Sequence, residues 1–284
     1  MEKLHGEKQH PHLWASLISR CEACCGLCCT MLYFAKSEGF PEDKAAGTPC
    51  GHLQPDFRCR VHSELGEKKL KGCLAFDCLG AGQKVTQQVY GGRTWREESV
   101  SAAEMEQVFV HVWQLQQILG YLLEAQTLAA AQPLADALEA LIAENQRLGA
   151  LPPEELAKLA VEEHRAQANR VLKKAWTLLQ QRLGVKSRAG GDYIGRKFKR
   201  ADLSGRDLSM SLLIAADLSG CQLYGANLLG ADLRDARLNG ADLSRSLFLT
   251  QAQLNSAHGD GATKLPEHLQ RPAQWQQGAK QAHL

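Results

Sequence analysis

A hydrophobic register with a period of five residues runs through the last third of the chain. Leucine or an aromatic residue occupies 12 consecutive positions of this register: Tyr193, Phe198, Leu203, Leu208, Leu213, Leu218, Leu223, Leu228, Leu233, Leu238, Leu243 and Phe248. Two residues before each of them the side chain is small in 10 of the 12 cases, with Arg196 and Arg206 as the exceptions. Neither an α-helix nor a flat strand has a period of five. The register therefore predicts a solenoid with one large and one small inward side chain per step.

The outward positions of this solenoid carry a second pattern. Residues twenty apart are expected to stack on the same side. The apolar sets are Leu229, Leu247 and Leu249 on one side and Ile194, Leu212 and Ile214 on the neighbouring side. Apolar patches of this kind are rarely left in water. We therefore expect this part of the solenoid to dock on the chain's own helical segment or on a partner.

The middle of the chain has a helical period instead. Apolar residues recur at spacings of three and four from Ala102 onward, which predicts an amphipathic helix capped by Ser101. A second helix follows the interruption at Pro133 and stops near Gly149. A third is predicted from the Pro152–Pro153 pair to Gly184. Weak alternation over residues 85–91 predicts a short strand or extended arm.

The repeat motifs A-D-L-S-G, A-N-L-L-G and A-D-L-R-D resemble the pentapeptide-repeat family from about Gly191 to Leu254. The resemblance implies a right-handed, four-sided β-helix of about three coils. The change of register at Gln253–Leu254 is interpreted as the end of the regular coil. Known members of that family include mimics of duplex DNA that act on topoisomerases. Such mimicry requires an acidic surface, but residues 191–262 contain eight Lys or Arg and eight Asp residues, which favours a solvated mixed surface.

Cysteines are concentrated near the amino terminus. Nine of the ten lie between Cys21 and Cys78, and the tenth, Cys221, occupies a small-residue position of the repeat. The spacing C-x2-C occurs in Cys21–Cys24 and in Cys25–Cys28, and two thiolates at this spacing can hold one metal ion. The predicted metal ligands are Cys21, Cys24, Cys25, Cys28, Cys29, Cys50, Cys59, Cys73 and Cys78. Zn(II), iron and an iron–sulfur cluster all suit such a thiolate set.

The same region resembles a cysteine-cluster family described as zinc- or iron-chelating. The matching residues are Cys21, Cys24, Cys28, Cys29, Cys50, Leu53, Cys59, His62, Cys73, Phe76 and Cys78, and Cys25 is an extra cysteine that changes the spacing of the first run. The resemblance implies a chelated metal without selecting zinc or iron. A disulfide framework and a set of unligated buried thiols are the alternative interpretations.

Composition limits the classes of protein to consider. The net charge of +2 gives no global basic field for nucleic acid. The first fourteen residues are polar and contain no apolar signal region, and no apolar stretch is long enough for a membrane helix. A cytoplasmic location is expected, where clustered cysteines are metal ligands or reactive thiols more often than disulfides.

Together these patterns predict a multidomain α+β protein. The predicted parts are a cysteine-rich, metal-stapled domain (1–100), a connector of about three helices (101–190), the repeat β-helix (191–262) and a polar tail (263–284). No catalytic triad, Walker motif or dinucleotide fingerprint is present in the sequence. We therefore expect a non-enzymatic, metal-binding interaction scaffold with a protein partner. The alternatives are a redox or iron–sulfur protein and a topoisomerase modulator.

Overall fold

The structure is a computed structural model that describes Leu4 and residues 6–275. Its α-helices are α1 (Pro11–Ser16), α2 (Leu27–Met31), α3 (Lys71–Ala75), α4 (Ala81–Gln83), α5 (Ala102–Thr127), α6 (Ala135–Leu148), α7 (Pro153–Leu156), α8 (Val161–Leu183) and α9 (Gln251–Asn255). Short 3-10 turns lie at Cys21–Ala23, Lys36–Glu38, His62–Glu64 and Ala129–Leu134, and a π-helix spans Lys84–Val89.

The chain forms two compact units. The helical unit comprises the chain from residue 6 to Gly72 and Asp77–Ala175. The coil unit comprises, among the described residues, Leu4, Cys73–Phe76 and the chain from Trp176 to Trp275. The boundary between the units falls inside α8 along the sequence, and neither unit coincides with one of the predicted domains, whose limits stay predictions.

Helix α5 is the longest helix of the helical unit, and it packs against α2, α4, α6 and α7. The Ser101 hydroxyl accepts a hydrogen bond from the Glu104 backbone N–H at 3.2 Å, which satisfies one of the free donors of the first turn. Its side chains at spacings of three and four are buried, including Met105, Val108, Val112, Leu115, Leu119 and Leu122. The predicted first helix is confirmed.

The predicted third helix is divided in two. Helix α7 ends at Leu156 and α8 starts at Val161. His111 Nδ1 lies 2.7 Å from the carbonyl oxygen of Leu156 and donates to it. That carbonyl is therefore occupied by a side chain from α5, and the Leu156 side chain is fully buried. This hydrogen bond fixes the end of α7, and the chain turns before α8 begins.

The predicted strand or extended arm at residues 85–91 is wrong. Residues 81–89 form α4 and the π-helix. The Thr86 hydroxyl donates to the Gly82 carbonyl at 2.9 Å, and Val85 and Thr86 are both buried. A few alternating residues do not distinguish a strand from a short buried helix, and here burial against the helical unit favours the helix.

The coil unit is built from five-residue sides, four to each coil. Parallel bridges join residues twenty apart, as in the row Lys197, Asp217 and Arg237. Every central leucine from Leu213 to Leu243 is at most 1% exposed. Most sides end in a residue with positive φ, which is why glycine is frequent at the corners.

The predicted β-helix, and the α+β fold class that includes it, are contradicted. Among the described residues there is no β-strand and no sheet, because all bridges are isolated. Each side contributes a single bridged residue before the chain turns at the next corner. The consecutive bridges that make a strand do not form, although hydrogen bonds join the coils.

The repeat is interrupted after Phe248. Helix α9 follows, and the Gln253 side-chain amide donates to the carbonyls of Leu228 and Ala231 at 2.9 and 2.8 Å. Further bridges then pair Arg237 with His258 and Asp242 with Lys264. The change of register therefore marks an insertion, and coil pairing resumes after it.

The chain beyond α9 closes this end of the coil. The Trp275 indole N–H donates to the Ala257 carbonyl at 2.9 Å, and the Trp275 side chain is buried. The part of the predicted polar tail from residue 263 to Trp275 thus belongs to the coil unit, and residues 276–284 lie outside the described residues. Within the described residues, no helix combines the length and apolar character needed to cross a membrane.

Candidate functional site

The carboxy-terminal part of α8, from Trp176 to Leu183, belongs to the coil unit and covers one side of the coil. The Trp176 indole N–H donates to Asp207 Oδ2 at 3.1 Å, and the Asn227 amide donates to Asp207 Oδ1 at 3.0 Å. A Cβ added to Gly225 would lie 3.0 Å from Leu183 Cδ1. The same side contains Leu247, which is fully buried. The expected docking of one apolar side on the chain's own helix is confirmed for this side.

The neighbouring apolar side stays open. Ile194 is 54% exposed and Leu212 is 41% exposed. Met210, at the preceding corner, is 72% exposed. These three side chains account for most of the large exposed hydrophobic residues of the described chain, and they all lie in the first coil or directly below it.

Charge is unevenly distributed along the coil. Between residues 191 and 206 there are five basic residues and two acidic residues, whereas residues 207–262 contain three basic and six acidic residues. The guanidinium of Arg196 lies 5.6 Å from the Tyr193 ring centroid and 5.3 Å from that of Phe198. The amino-terminal end of the coil is therefore basic and amphipathic, and the surface as a whole is not the acidic surface of a DNA mimic.

The helical unit brings several predicted ligands into one neighbourhood. The Cys21, Cys24, Cys28, Cys29 and Cys78 thiols are close enough to influence one another's ionisation. Burial, assisted by neighbouring thiols, raises the pKa of Cys24 to about 12. These five thiols define the thiol cluster.

One pair within the thiol cluster differs from the rest. A hydrogen bond from the Cys28 thiol holds the pKa of Cys29 below its ordinary value, and the nearby Lys44 ammonium acts in the same direction. The pKa of Cys28 is raised by that hydrogen bond and by burial. Lys44 Nζ also donates to the carbonyls of Thr30 and Thr48 at 3.1 and 2.7 Å, so the ammonium is held in place.

Two further predicted ligands lie beside the thiol cluster. The Cys50 backbone N–H donates to the Cys29 carbonyl at 2.9 Å. Cys59 pairs with Leu53 in an antiparallel bridge, and its pKa is raised mainly by burial and further by Cys29 and Cys50.

The remaining two predicted ligands are placed differently. Cys25 is buried, and its sulfur lies 3.3 Å from the Thr86 hydroxyl oxygen. The Cys25 backbone N–H donates to the same hydroxyl at 3.1 Å. Cys73 lies on α3 in the coil unit and is partly buried. Cys25 is therefore turned toward the π-helix, although its spacing from Cys28 suggested a shared ion.

Sequence reasoning missed the polar groups that contact the thiols. The Ser19 hydroxyl lies 3.2 Å from Cys78 Sγ and donates to Asp77 Oδ1 at 2.7 Å. Ser19 and Cys78 are separated by 59 residues, so no local pattern connects them. Gly82 lies against Cys24, because an added Cβ would be 2.6 Å from the Cys24 sulfur.

The predicted ligands are only partly gathered. Within the described residues, no group of three or more His, Cys, Asp or Glu side chains is arranged to hold a metal ion. All ten cysteines are free thiols. The structure therefore shows a group of neighbouring free thiols in which the pKa of Cys29 is lowered. The ligand roles of the nine cysteines stay predictions.

Comparison with known proteins identifies the relatives of the chain. A Bacillus subtilis (strain 168) protein named "Uncharacterized protein YybG" is 45% identical over 271 residues, which is 94% of this chain and 97% of that protein. The chain belongs to the YybG family. No solved structure gives a significant match.

The repeat segment of this chain also matches a known repeat family. The family "Pentapeptide repeats" matches residues 197–228 and 211–248, with 8 copies. The predicted resemblance of the carboxy-terminal part is thereby confirmed. The resemblance of residues 21–78 to a cysteine-cluster family stays a prediction.

Proposed function

We propose that this protein is an interaction scaffold whose repeat coil docks a protein partner. The observation that carries the proposal is the open side of the first two coils, where Ile194, Met210 and Leu212 are exposed. Apolar side chains grouped on a surface are typical of interaction sites. Repeat architectures present extended surfaces suited to this role. The free thiols support the cytoplasm as the place of action.

Site-specific photo-crosslinking in cells tests the scaffold proposal. A photoreactive amino acid at Leu212 is expected to capture one discrete protein. The same amino acid at Asn239, an exposed corner position of the third coil, serves as the control and is expected to capture much less of it. Absence of a discrete product at Leu212 and at other exposed coil positions would refute the scaffold proposal.

A thiol-bound metal is a second candidate, favoured by the convergence of the thiol cluster. Zn(II), iron or an iron–sulfur cluster are the groups whose ligand preferences suit thiolates. The described side chains do not form a complete site, so binding requires the sulfurs to move. Lys44, which lies near Cys28, Cys29 and Cys50, would offset part of the thiolate charge.

Elemental analysis of anaerobically purified protein decides this second candidate. Stoichiometric zinc, or iron with sulfide, is expected if the candidate is correct, and Cys28→Ser and Cys78→Ser should each release the metal. Cys221→Ala, in the repeat core, is the matched control and should retain it. Protein that is free of metal and whose thermal unfolding is unchanged by chelator would exclude the candidate. Iron with sulfide would favour the redox alternative, and zinc would oppose it.

A further inference from the structure

Among the described residues, the first coil has a backbone edge that is unpaired on three of its four sides. In the second coil, the Asp217 N–H donates to the Arg196 carbonyl, and the Asp217 carbonyl accepts from the Phe198 N–H, both at 2.8 Å. The Ser219 carbonyl accepts from the Arg200 N–H at 2.8 Å. Each side of a coil thus directs one N–H and two carbonyls toward the preceding coil.

No coil precedes the first coil, so on three of its sides these N–H and carbonyl groups are left without a partner coil. On these sides, three backbone N–H groups and six carbonyls have no hydrogen-bond partner within the described residues. The N–H groups are those of Asp192, Lys197 and Asp202, and the carbonyls are those of Asp192, Ile194, Lys197, Lys199, Asp202 and Ser204. We call the segment Asp192–Ser204 the open edge. The fourth side differs, because the Ser187 hydroxyl accepts from the Asp207 N–H and Gly190 donates to the Ser209 carbonyl, both at 2.9 Å.

An unpaired edge is a template for another extended chain. The other end of the coil is closed by α9 and Trp275, whereas most residues of the open edge are exposed. Unpaired backbone donors and acceptors in regular order favour a polypeptide, since a nucleic acid has no equivalent backbone groups. The open edge therefore selects a peptide segment before any side chain is considered.

The side chains of the open edge specify the chemistry of that segment. Ile194 provides an apolar contact on the first side. Lys197 and Lys199 are exposed on the second side, flanked by Arg196 and Arg200. Asp192 and Asp202 on the other two sides of the edge, and Asp217 in the coil below, offset part of this charge, so the basic character is confined to the second side. A second copy of the chain would bring the same basic edge, so like-charge repulsion opposes pairing of two open edges.

We propose that the open edge binds an acidic segment of a partner protein by backbone pairing, with the segment turning at the corner beside Gly195 as the coil's own chain does. This proposal rests on the scaffold function and specifies its partner. If the segment follows the coil's own parallel register, its side chains stack on those of the first coil. An apolar residue then lies over Ile194, and acidic residues three and five positions later lie over Lys197 and Lys199. The predicted motif is apolar-x-x-acidic-x-acidic.

The backbone register defines a sharp test. The peptide residue between the two acidic positions would lie over Phe198 and donate its N–H to the Lys197 carbonyl. The probe is a fluorescent, acetylated decapeptide with one isoleucine and with glutamates three and five residues after it. Binding to the full-length protein is measured by fluorescence anisotropy. N-methylation between the glutamates should weaken binding by about tenfold, because it removes that donor.

Matched protein variants test the charge pattern. The double variant Lys197→Gln/Lys199→Gln is expected to weaken binding by about tenfold or more. Arg237→Gln lies in the same bridge row two coils away, and it should leave binding within about twofold. Circular dichroism of each variant establishes that the fold is retained. Equal binding of the N-methylated and unmodified peptides would overturn backbone pairing.

The same variants distinguish the acidic peptide from two other occupants of the open edge, a nucleic acid and a second copy of the chain. Binding of a thymidine oligonucleotide in place of the peptide, with loss in the double lysine variant, would assign the edge to nucleic acid and overturn the proposal. A dimer in sedimentation velocity that the double variant dissociates would assign the edge to a second copy and also overturn it. If Leu212 crosslinks to a partner while the peptide does not bind, only the acidic-peptide inference fails. If neither occurs, the scaffold function fails with it.

Discussion

In the helical unit, the close approach of a distant segment can determine which residue a backbone position accepts. Gly80 has φ of +77°, and an added Cβ would lie 2.1 Å from the Ser16 carbonyl oxygen. This contact brings the end of α1 against the chain that follows Cys78. Gly91 also has positive φ, at +61°, but no atom lies within 4 Å of its added Cβ. Substitution of Gly91 therefore measures backbone strain alone, whereas substitution of Gly80 adds a steric clash to that strain.

Gly80→Ala is expected to destabilise the protein by about 2–4 kcal/mol, because the backbone of α1 must move. Gly91→Ala is expected to cost only about 1 kcal/mol, which is the cost of the left-handed backbone conformation. Urea denaturation followed by far-UV circular dichroism measures both. Equal losses at the two positions would contradict the close approach.

His164 makes the stability of the helical unit depend on pH. Burial holds the pKa of His164 below its ordinary value, and the nearby Glu144 carboxylate acts weakly in the opposite direction. The His164 ring accepts at Nε2 from the Asn145 amide at 3.2 Å. The neutral ring is therefore the form that the folded protein favours.

Because the folded pKa of His164 is lower than the unfolded pKa of about 6.5, the unfolded chain binds the proton more readily. The stability from this residue is fully present above the unfolded pKa, and it is lost as pH falls through the folded pKa. His164→Gln should flatten the fall in free energy of unfolding below about pH 6.5. His12→Gln, at an exposed position, should leave that slope unchanged, and a similar slope in both variants would argue against the assignment.

At the scale of elements, the five-residue side works because one leucine per side fills the interior of the coil. Leu223 is fully buried, whereas Leu212 is 41% exposed. Interiors pack densely, so the side chain removed from the interior leaves a cavity with little chance to collapse. An outward leucine leaves none.

Leu223→Ala is expected to reduce the free energy of unfolding of the coil unit by about 2–5 kcal/mol, through lost burial and the residual cavity. Leu212→Ala is the matched control and should change it by less than about 0.5 kcal/mol. Chemical denaturation of a fragment that begins at Val161 measures this effect by tryptophan fluorescence, because its tryptophans are Trp176 and Trp275, both buried in the coil unit. A small effect at Leu223 would mean that the interior is loosely packed.

At the scale of the molecule, the coil unit has a hydrophobic core of its own. The core contains the central leucines, the small residues such as Ala226 and Ala241, and Trp275. It also has one end that is covered by α9 and one side that is covered by α8. A domain with its own core is expected to fold independently.

A fragment that begins at Val161, so that it includes all of α8, is therefore expected to fold. It should unfold in one cooperative thermal transition, reported by the fluorescence of the buried Trp176 and Trp275. A fragment that begins at Gly191 lacks α8 and should be less stable, because Asp207 loses the hydrogen bond from the Trp176 indole N–H. Absence of a cooperative transition in the longer fragment would show that the coil depends on the helical unit.

The site was predicted less completely than the repeat. The sequence placed all nine amino-terminal cysteines together, but Cys25 faces Thr86 and Cys73 belongs to the coil unit. The thiol cluster depends on contacts such as that between Ser19 and Cys78, which are far apart in sequence. Spacing along the chain reports only which thiols can share a turn of backbone, so it cannot choose among distant ones.

The sequence alone determined the features that follow from local periodicity. The five-residue register named the buried leucines, and the three- and four-residue spacing named α5 with its Ser101 cap. Tertiary structure decided that residues 81–89 are helical, that α8 lies on the coil, and that bridges stay isolated where strands were expected. Periodicity depends on how neighbouring side chains point, which the local backbone sets. Pairing between distant segments depends on which of them the fold brings together. The open edge is therefore visible only in the tertiary structure.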